Sequence, residues 1–177
     1  AKISRLTPQH PAILSEDNHY SYRELHERIC FFQKYLSENN IQPGNRVCIL
    51  SEINIDYITA LFAIWRNGAI ACPLNPSLPT SKLNALQERL QATLYLSDAR
   101  EIERRSDFST SPYLDIGRDL SERIGITDGA VSTEIADHSD ALFIQTSGSA
   151  SEAKTVVLSF SQLHYSALGL NEAIKLN

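Results

Sequence analysis

Phe143-Ile144-Gln145-Thr146-Ser147-Gly148-Ser149-Ala150-Ser151-Glu152-Ala153-Lys154-Thr155-Val156-Val157-Leu158 is the stretch on which the reading of this chain turns. An apolar strand runs into a hydroxyl-rich loop with one glycine, then a lysine, then a second run of β-branched residues. Small residues let backbone N–H groups converge on an anion, hydroxyls add donors, and a lysine supplies a mobile positive charge. Together these are what a polyphosphate needs. Taken alone, the same composition also suits a serine-rich hairpin turn. A Walker A reading is suggested by Gly148 and Ala153-Lys154-Thr155, but Ala153 stands where the second glycine belongs. Moreover, Thr155-Val156-Val157-Leu158 is strand-like where a P-loop must open a helix.

Working outward, helices alternate with short apolar strands. Pro11 to Leu14 and His19 to Tyr22 read as two short strands around the polar turn Glu16-Asp17-Asn18. Ser21 and Glu24 form a capping box for a helix with the stripe Leu25, Ile29, Phe32 and Leu36. Arg46 to Leu50 is a buried strand. A helix from about Asn54 to Asn67 carries Ile55, Ile58, Leu61, Phe62 and Trp65 and is closed by Gly68. Phe62 and Trp65 are expected in the core. Ile70-Ala71-Cys72 is the next strand, Thr80 is expected to cap a helix with Leu83, Leu86 and Leu90, and Thr93 to Leu96 is a further strand. Residues 98–140 read as an irregular connection with one weak strand near Tyr113 to Ile116. Within it, the mixed charges from Asp98 to Asp107 suit a solvated helix face. After the loop, Ser161 is expected to cap a last helix through Leu163, Ala167, Leu170 and Ile174. The alternation predicts an α/β fold, a mostly parallel sheet with helices on both faces.

The 177 residues suffice for one domain with a core. A hydrophobic content of 42% and a net charge of −5, with no basic stripe, argue for a globular chain and against a nucleic-acid partner. The most apolar run, Tyr57 to Trp65, is about half the length of a membrane span, and, with no apolar stretch near Ala1 to Pro8, a secretory leader is not expected. Cys30, Cys48 and Cys72 lie in apolar segments and read as buried free thiols of a reducing, cytoplasmic compartment. No methionine occurs, which implies a chain that begins after processing or excision. Asp137-His138-Ser139-Asp140 holds the letters of a catalytic triad, but adjacent residues cannot adopt triad geometry, and a structural loop is expected. The histidines show no metal-ligand spacing, with no cysteine at a useful interval. His164 is expected at the surface of the last helix.

Thr146-Ser147-Gly148-Ser149-Ala150-Ser151-Glu152-Ala153-Lys154-Thr155-Val156 resembles the phosphate-binding loop T-S-G-[ST]-T-G-x-P-K-G-V of the adenylate-forming superfamily, which includes acyl-CoA synthetases, luciferases and nonribosomal adenylation domains. Thr146, Ser147, Gly148, Ser149, Lys154 and Val156 match. Ala150, Ser151, Ala153 and Thr155 depart from the usual Thr, Gly, Pro and Gly. Ser21-Tyr22-Arg23-Glu24-Leu25, Pro43-Gly44-Asn45-Arg46-Val47 and Gly68-Ala69 to Pro73-Leu74-Asn75-Pro76 resemble further superfamily segments, in the same order. Within the superfamily, Asn75-Pro76-Ser77-Leu78-Pro79 and Leu158-Ser159-Phe160 are most similar to 2-succinylbenzoate–CoA ligases of menaquinone biosynthesis.

The resemblance implies that residues 1–177 are the first subdomain of the large N-terminal AMP-binding domain, the rest of that domain and a small C-terminal domain lying outside this chain. It implies an acid–thiol ligase that uses ATP, Mg2+ and coenzyme A on a small-molecule carboxylic acid; a homo-oligomer is left open. Thr146, Ser147, Gly148, Ser149, Lys154 and Thr155 are then the residues at the ATP phosphates. No catalytic residue or metal ligand is assigned in this chain, and the piece alone is expected to be inactive as a ligase. The alternative is a non-catalytic α/β binding or interaction module with a degenerate phosphate loop.

Overall fold

The computed structural model describes residues 2–15, 18–104, 113–117, 135–146 and 154–174. A short helix, α1 (Lys2–Leu6), precedes an antiparallel pair, β1 (Pro11–Leu14) and β2 (His19–Ser21). There follow α2 (Tyr22–Glu38), β3 (Arg46–Leu50), α3 (Ile55–Arg66), β4 (Ile70–Pro73), α4 (Thr80–Leu90) and β5 (Leu94–Ser97). Next come α5 (Ala99–Arg104), β6 (Tyr113–Asp115), β7 (Asp140–Thr146), β8 (Lys154–Ser159) and α6 (Phe160–Ile174). Strands β6-β5-β3-β4-β7-β8 form one sheet, parallel throughout except where β8 runs antiparallel to β7. The fold is therefore the α/β arrangement expected.

Strand β3 shows why both faces are covered. Its residues alternate, as side chains in any strand must. Val47 and Ile49 join Phe32 and Leu36 of α2 and Ala60, Ala63 and Ile64 of α3 in one core. Cys48 and Leu50 face the other way, into a core with Leu83, Leu86 and Leu90 of α4, Tyr95 of β5 and Phe143 of β7. A strand buried on both sides reads as a continuous apolar run, which Arg-Val-Cys-Ile-Leu is. Removing an aliphatic or aromatic side chain of this kind from water contributes about 1.5–3 kcal/mol.

Turn chemistry joins two segments that are distant in sequence. Gly44 and Gly68 both take positive φ, 80° and 68°, and the Gly44 N–H donates to the Gly68 carbonyl at 2.8 Å. A Cβ on Gly68 would meet the Pro43 Cβ at 3.3 Å, so the position needs glycine for conformation and for space. The capping box of Ser21 and Glu24 is formed. The Ser21 amide, then its hydroxyl, holds the Glu24 carboxyl below the usual range.

Several local expectations are corrected. Thr80 is the first residue of α4 rather than its cap. Pro79 occupies the cap position without a side-chain hydrogen bond, and its carbonyl accepts from the amides of Lys82 and Leu83. The last helix begins one residue before Ser161, and Ser159 caps it: the Gln162 amide donates to Ser159 Oγ at 3.3 Å, and the Ser159 amide to Gln162 Oε1 at 2.8 Å. Helix α3 buries Thr59, Ala60, Ala63 and Ile64 in place of its bulkier stripe, and Phe62 is 41% exposed. Small residues let a helix approach a sheet closely, so the largest side chains flank the contact. Strand β5 starts at Leu94, one residue later than expected. In α5, Glu101 is only 4% exposed although its helix is otherwise charged. No residue of α6 is buried, and Leu168, Leu170 and Ile174 are exposed.

Cys48 and Cys72 are fully buried cross-strand neighbours. Contact with the Cys72 thiol, together with burial, pushes the Cys48 thiol well above the ordinary range. Cys30 is only half-buried. Contrary to the sequence reading, a cysteine does lie near a histidine: Cys30 Sγ is 3.5 Å from His26 Nε2, one helical turn away, and accepts from Arg66 Nη1 at 3.2 Å.

Candidate functional site: the β7–β8 hairpin

The residues that end β7 and begin β8 lie side by side. Thr146 pairs with Lys154, Gln145 with Thr155, Ile144 with Val156 and Phe143 with Val157, and Thr146 Oγ1 donates to the Lys154 carbonyl at 3.2 Å. β-Branched residues at Thr155, Val156 and Val157 favour this extended pairing. The strand after the lysine thus excludes a P-loop helix, as the sequence implied. Ser147, Gly148 and Ser149, with the departures Ala150, Ser151 and Ala153, lie outside the described residues. Of the expected phosphate contacts, Thr146, Lys154 and Thr155 are therefore the ones the structure places. Thr146 and Lys154 are exposed at the paired ends, and Thr155 is half-buried beside them.

The hairpin is fastened to the parallel sheet at its base. Leu142 pairs with Ala71 of β4. Trp65 Nε1 donates to the Ala141 carbonyl at 2.8 Å, and the Trp65 ring stands edge-on to Phe160 with centroids 6.2 Å apart. Arg46, at the start of β3, lies over the Phe143 ring at 5.0 Å. Asp137 to Asp140 closes the base structurally: Asp137 and Ser139 carbonyls accept from the Ser161 and Phe160 amides at 2.8 and 3.1 Å. That loop has the structural role expected of it. His164 is exposed and packs edge-on to Tyr165.

Two side chains at the site escaped sequence reading. Arg89 of α4 donates through Nη2 to Gln145 Oε1 and, at 3.2 Å, to Thr155 Oγ1. Gln145 Nε2 also reaches Thr155 Oγ1 at 3.1 Å. An arginine in the last turn of a helix is ordinary, so nothing local to Arg89 signalled a partner 56 residues away.

Chemically, the described end of the hairpin presents a primary ammonium and a hydroxyl, with no carboxylate among Thr146, Lys154 and Thr155, so it suits an anion. Among the described residues no group of three or more His, Cys, Asp or Glu gathers to hold a metal ion. Among them, too, no helix is long and apolar enough to cross a membrane.

The family model of the AMP-binding enzymes matches residues 2–176. This chain belongs to that family. Among curated proteins, it is 29% identical over 174 residues to the polyketide synthase PksN of Bacillus subtilis (strain 168), covering 92% of this chain and 3% of that one. It is 25% identical over 171 residues to surfactin synthase subunit 1 of the same organism, covering 97% and 5%. The chain thus spans a small part of the length of these relatives. Solved structures match its fold: VinN with 3-methylaspartate at a TM-score of 0.87 and 21% identity, over 97% of this chain and 49% of that one. The o-succinylbenzoate CoA synthetase of Bacillus subtilis with its acyl-adenylate matches at 0.81 and 21%, over 99% and 46%. The architecture is that of the N-terminal subdomain of adenylate-forming enzymes.

Proposed function

We propose that residues 1–177 form the N-terminal subdomain of an adenylate-forming acid–thiol ligase, and that its β7–β8 hairpin holds the ATP phosphates. The observation that carries this reading is the side-by-side placement of Thr146 and Lys154 at the two ends of the hydroxyl-rich loop. In the reaction, a carboxylate oxygen attacks the α-phosphorus of ATP, pyrophosphate leaves, and a thiol then takes the acyl group from the adenylate. Negative charge gathers on the departing pyrophosphate. Ser147, Gly148 and Ser149 supply N–H and O–H donors there, Lys154 supplies positive charge, and Thr146 sets the path of the loop. Thr155 is the outermost candidate, since its hydroxyl is engaged by Gln145 and Arg89. Mg2+ adds further charge neutralisation when it arrives with the nucleotide; the described residues offer it no ligand cluster.

For the acid and thiol, 2-succinylbenzoate and coenzyme A are the first choice. Residues Asn75 to Pro79 and Leu158 to Phe160 support it, and so does the likeness to the o-succinylbenzoate CoA synthetase fold. A second reading, an adenylation unit within a larger synthase, is favoured by curated relatives that include a polyketide synthase, a surfactin synthase subunit and a nonribosomal peptide synthetase. ATP–pyrophosphate exchange by a longer protein containing these residues, run with 2-succinylbenzoate and with amino acids, separates the two. Exchange with amino acids alone removes the ligase of menaquinone biosynthesis. We also infer that the 177 residues alone make no thioester; acyl-CoA formed by this chain in isolation refutes that and the subdomain assignment with it.

A further inference from the structure

We propose that Arg89 is a positioning residue for the candidate phosphate site, clamping the ends of β7 and β8 that carry Thr146 and Lys154. The inference rests on the phosphate-loop reading above. Gln145 and Thr155 are cross-strand partners, one pair below Thr146 and Lys154. The Arg89 guanidinium donates to both, at Gln145 Oε1 and at Thr155 Oγ1, and Gln145 Nε2 donates to Thr155 Oγ1 as well. Three side chains therefore close a ring of hydrogen bonds across the hairpin, immediately beneath the site.

The other end of the clamp is rigid. Leu83, Leu86 and Leu90 bury one face of α4 against the sheet. Arg46 Nη1 donates to the Leu90 carbonyl at 2.9 Å, and the same Arg46 lies over Phe143 of β7. Gln91 ends the helix in the left-handed conformation, its N–H on the Gln87 carbonyl at 3.0 Å. Arg89 thus projects from a helix end tied to β3 toward a hairpin whose outer strand, β8, has weaker support. Among the described residues, β8 pairs with β7 alone, at the end of the strand order, and Ile144, Val156 and Val157 keep more than a third of their surface exposed. Such an edge frays unless held. A site whose groups come from two strand ends loses affinity for an anion when those ends move, because the ordering cost then falls on binding.

Two measurements on the 177-residue chain test this: amide hydrogen exchange, and titration with inorganic tripolyphosphate. Arg89→Ala is expected to speed exchange about tenfold at Thr146, Lys154 and Thr155 while Val47, Ile49 and Leu96 keep their protection, and to weaken tripolyphosphate binding about tenfold. Gln145→Leu leaves the guanidinium in place and is expected to do the same. The double variant is expected to be no weaker than either single one, because both remove one shared unit. Unchanged exchange at the hairpin in Arg89→Ala overturns the clamp whatever the ligand does. Additive losses, or full recovery of affinity in Arg89→Lys, mean that Arg89 acts on the anion by charge alone and overturn its positioning role. A parent chain that fails to bind tripolyphosphate overturns the phosphate-loop reading and, with it, the role assigned to the clamp. The exchange pattern then still reports separately whether Arg89 holds the strands.

Discussion

The β3–β4–β5 part of the sheet and the β7–β8 hairpin are built from similar apolar residues and live in different environments. In the first, α2 and α3 cover one face and α4 the other, and Val47, Cys48, Ile49 and Leu96 are wholly buried. In the second, Val156 and Val157 are substantially exposed, and α6 buries none of its residues. A closely packed interior fixes geometry through many small contacts. The hairpin anchors only its inner strand in the core, through Ala141 and Phe143, and adds specific bonds from Trp65, Arg46 and Arg89. Scaffold and site are thus separated by how they are held, a common division between rigid frame and ligand-carrying loop.

The comparison can be broken from either side. Phe32→Ala, in the scaffold, is expected to cost about 3–5 kcal/mol in denaturant unfolding; a loss below about 1 kcal/mol contradicts close packing of α2. Lys154→Ala, at the site, is expected to leave the unfolding midpoint within experimental error. In a longer protein it should lower ATP–pyrophosphate exchange by about 10²–10³-fold, the usual effect of removing a group that stabilises developing charge. Parental exchange by that variant removes Lys154 from the site. Gly68→Ala combines a positive φ with a 3.3 Å approach to Pro43 and is expected to destabilise by about 1–3 kcal/mol, read as a lowered urea midpoint.

The two remaining tests sharpen rather than break. Val157→Ala, on the exposed edge, is expected to change stability by no more than about 0.5 kcal/mol. An effect as large as that of Phe32→Ala shows that the hairpin is as tightly packed as the core. The smallest effect concerns pH. Burial, followed by neighbouring positive charge that includes Arg66, lowers the His26 pKa below 6.5. The unfolded chain then binds the proton more readily, so stability falls as pH drops through about 6.5 toward the folded value. His26→Gln is expected to flatten that part of the profile. An unaltered slope in the variant assigns the pH dependence to other groups.

How much was legible follows the range of each interaction. The capping box of Ser21 and Glu24, the closing Gly68 and the buried strand Arg46 to Leu50 are encoded within a few residues, and each formed as read. The Ser159–Gln162 cap was equally local but lay two residues before Ser161, the serine expected to cap the helix. The burial of Thr59 and Ala63 in place of Phe62 was not legible, since hydropathy ranks bulk while close helix–sheet packing selects small side chains. The half-exposed Cys30 beside His26 and Arg66 likewise depends on where α2 meets α3.

By itself, then, the sequence determined the alternation of helix and strand, the double-sided burial of the parallel strands and the strand–loop–strand form of the Thr146–Lys154 segment. Those properties follow from periodicity and from the backbone preferences of glycine and β-branched residues. Only the tertiary structure decided that β8 returns antiparallel at the sheet edge, that Trp65 and Arg46 fasten the hairpin, and that Arg89 reaches Gln145 and Thr155. The physical reason is distance along the chain. A hydrogen bond between side chains 56 residues apart exists only once two cores have set a helix end beside a strand end, and no local pattern records that meeting.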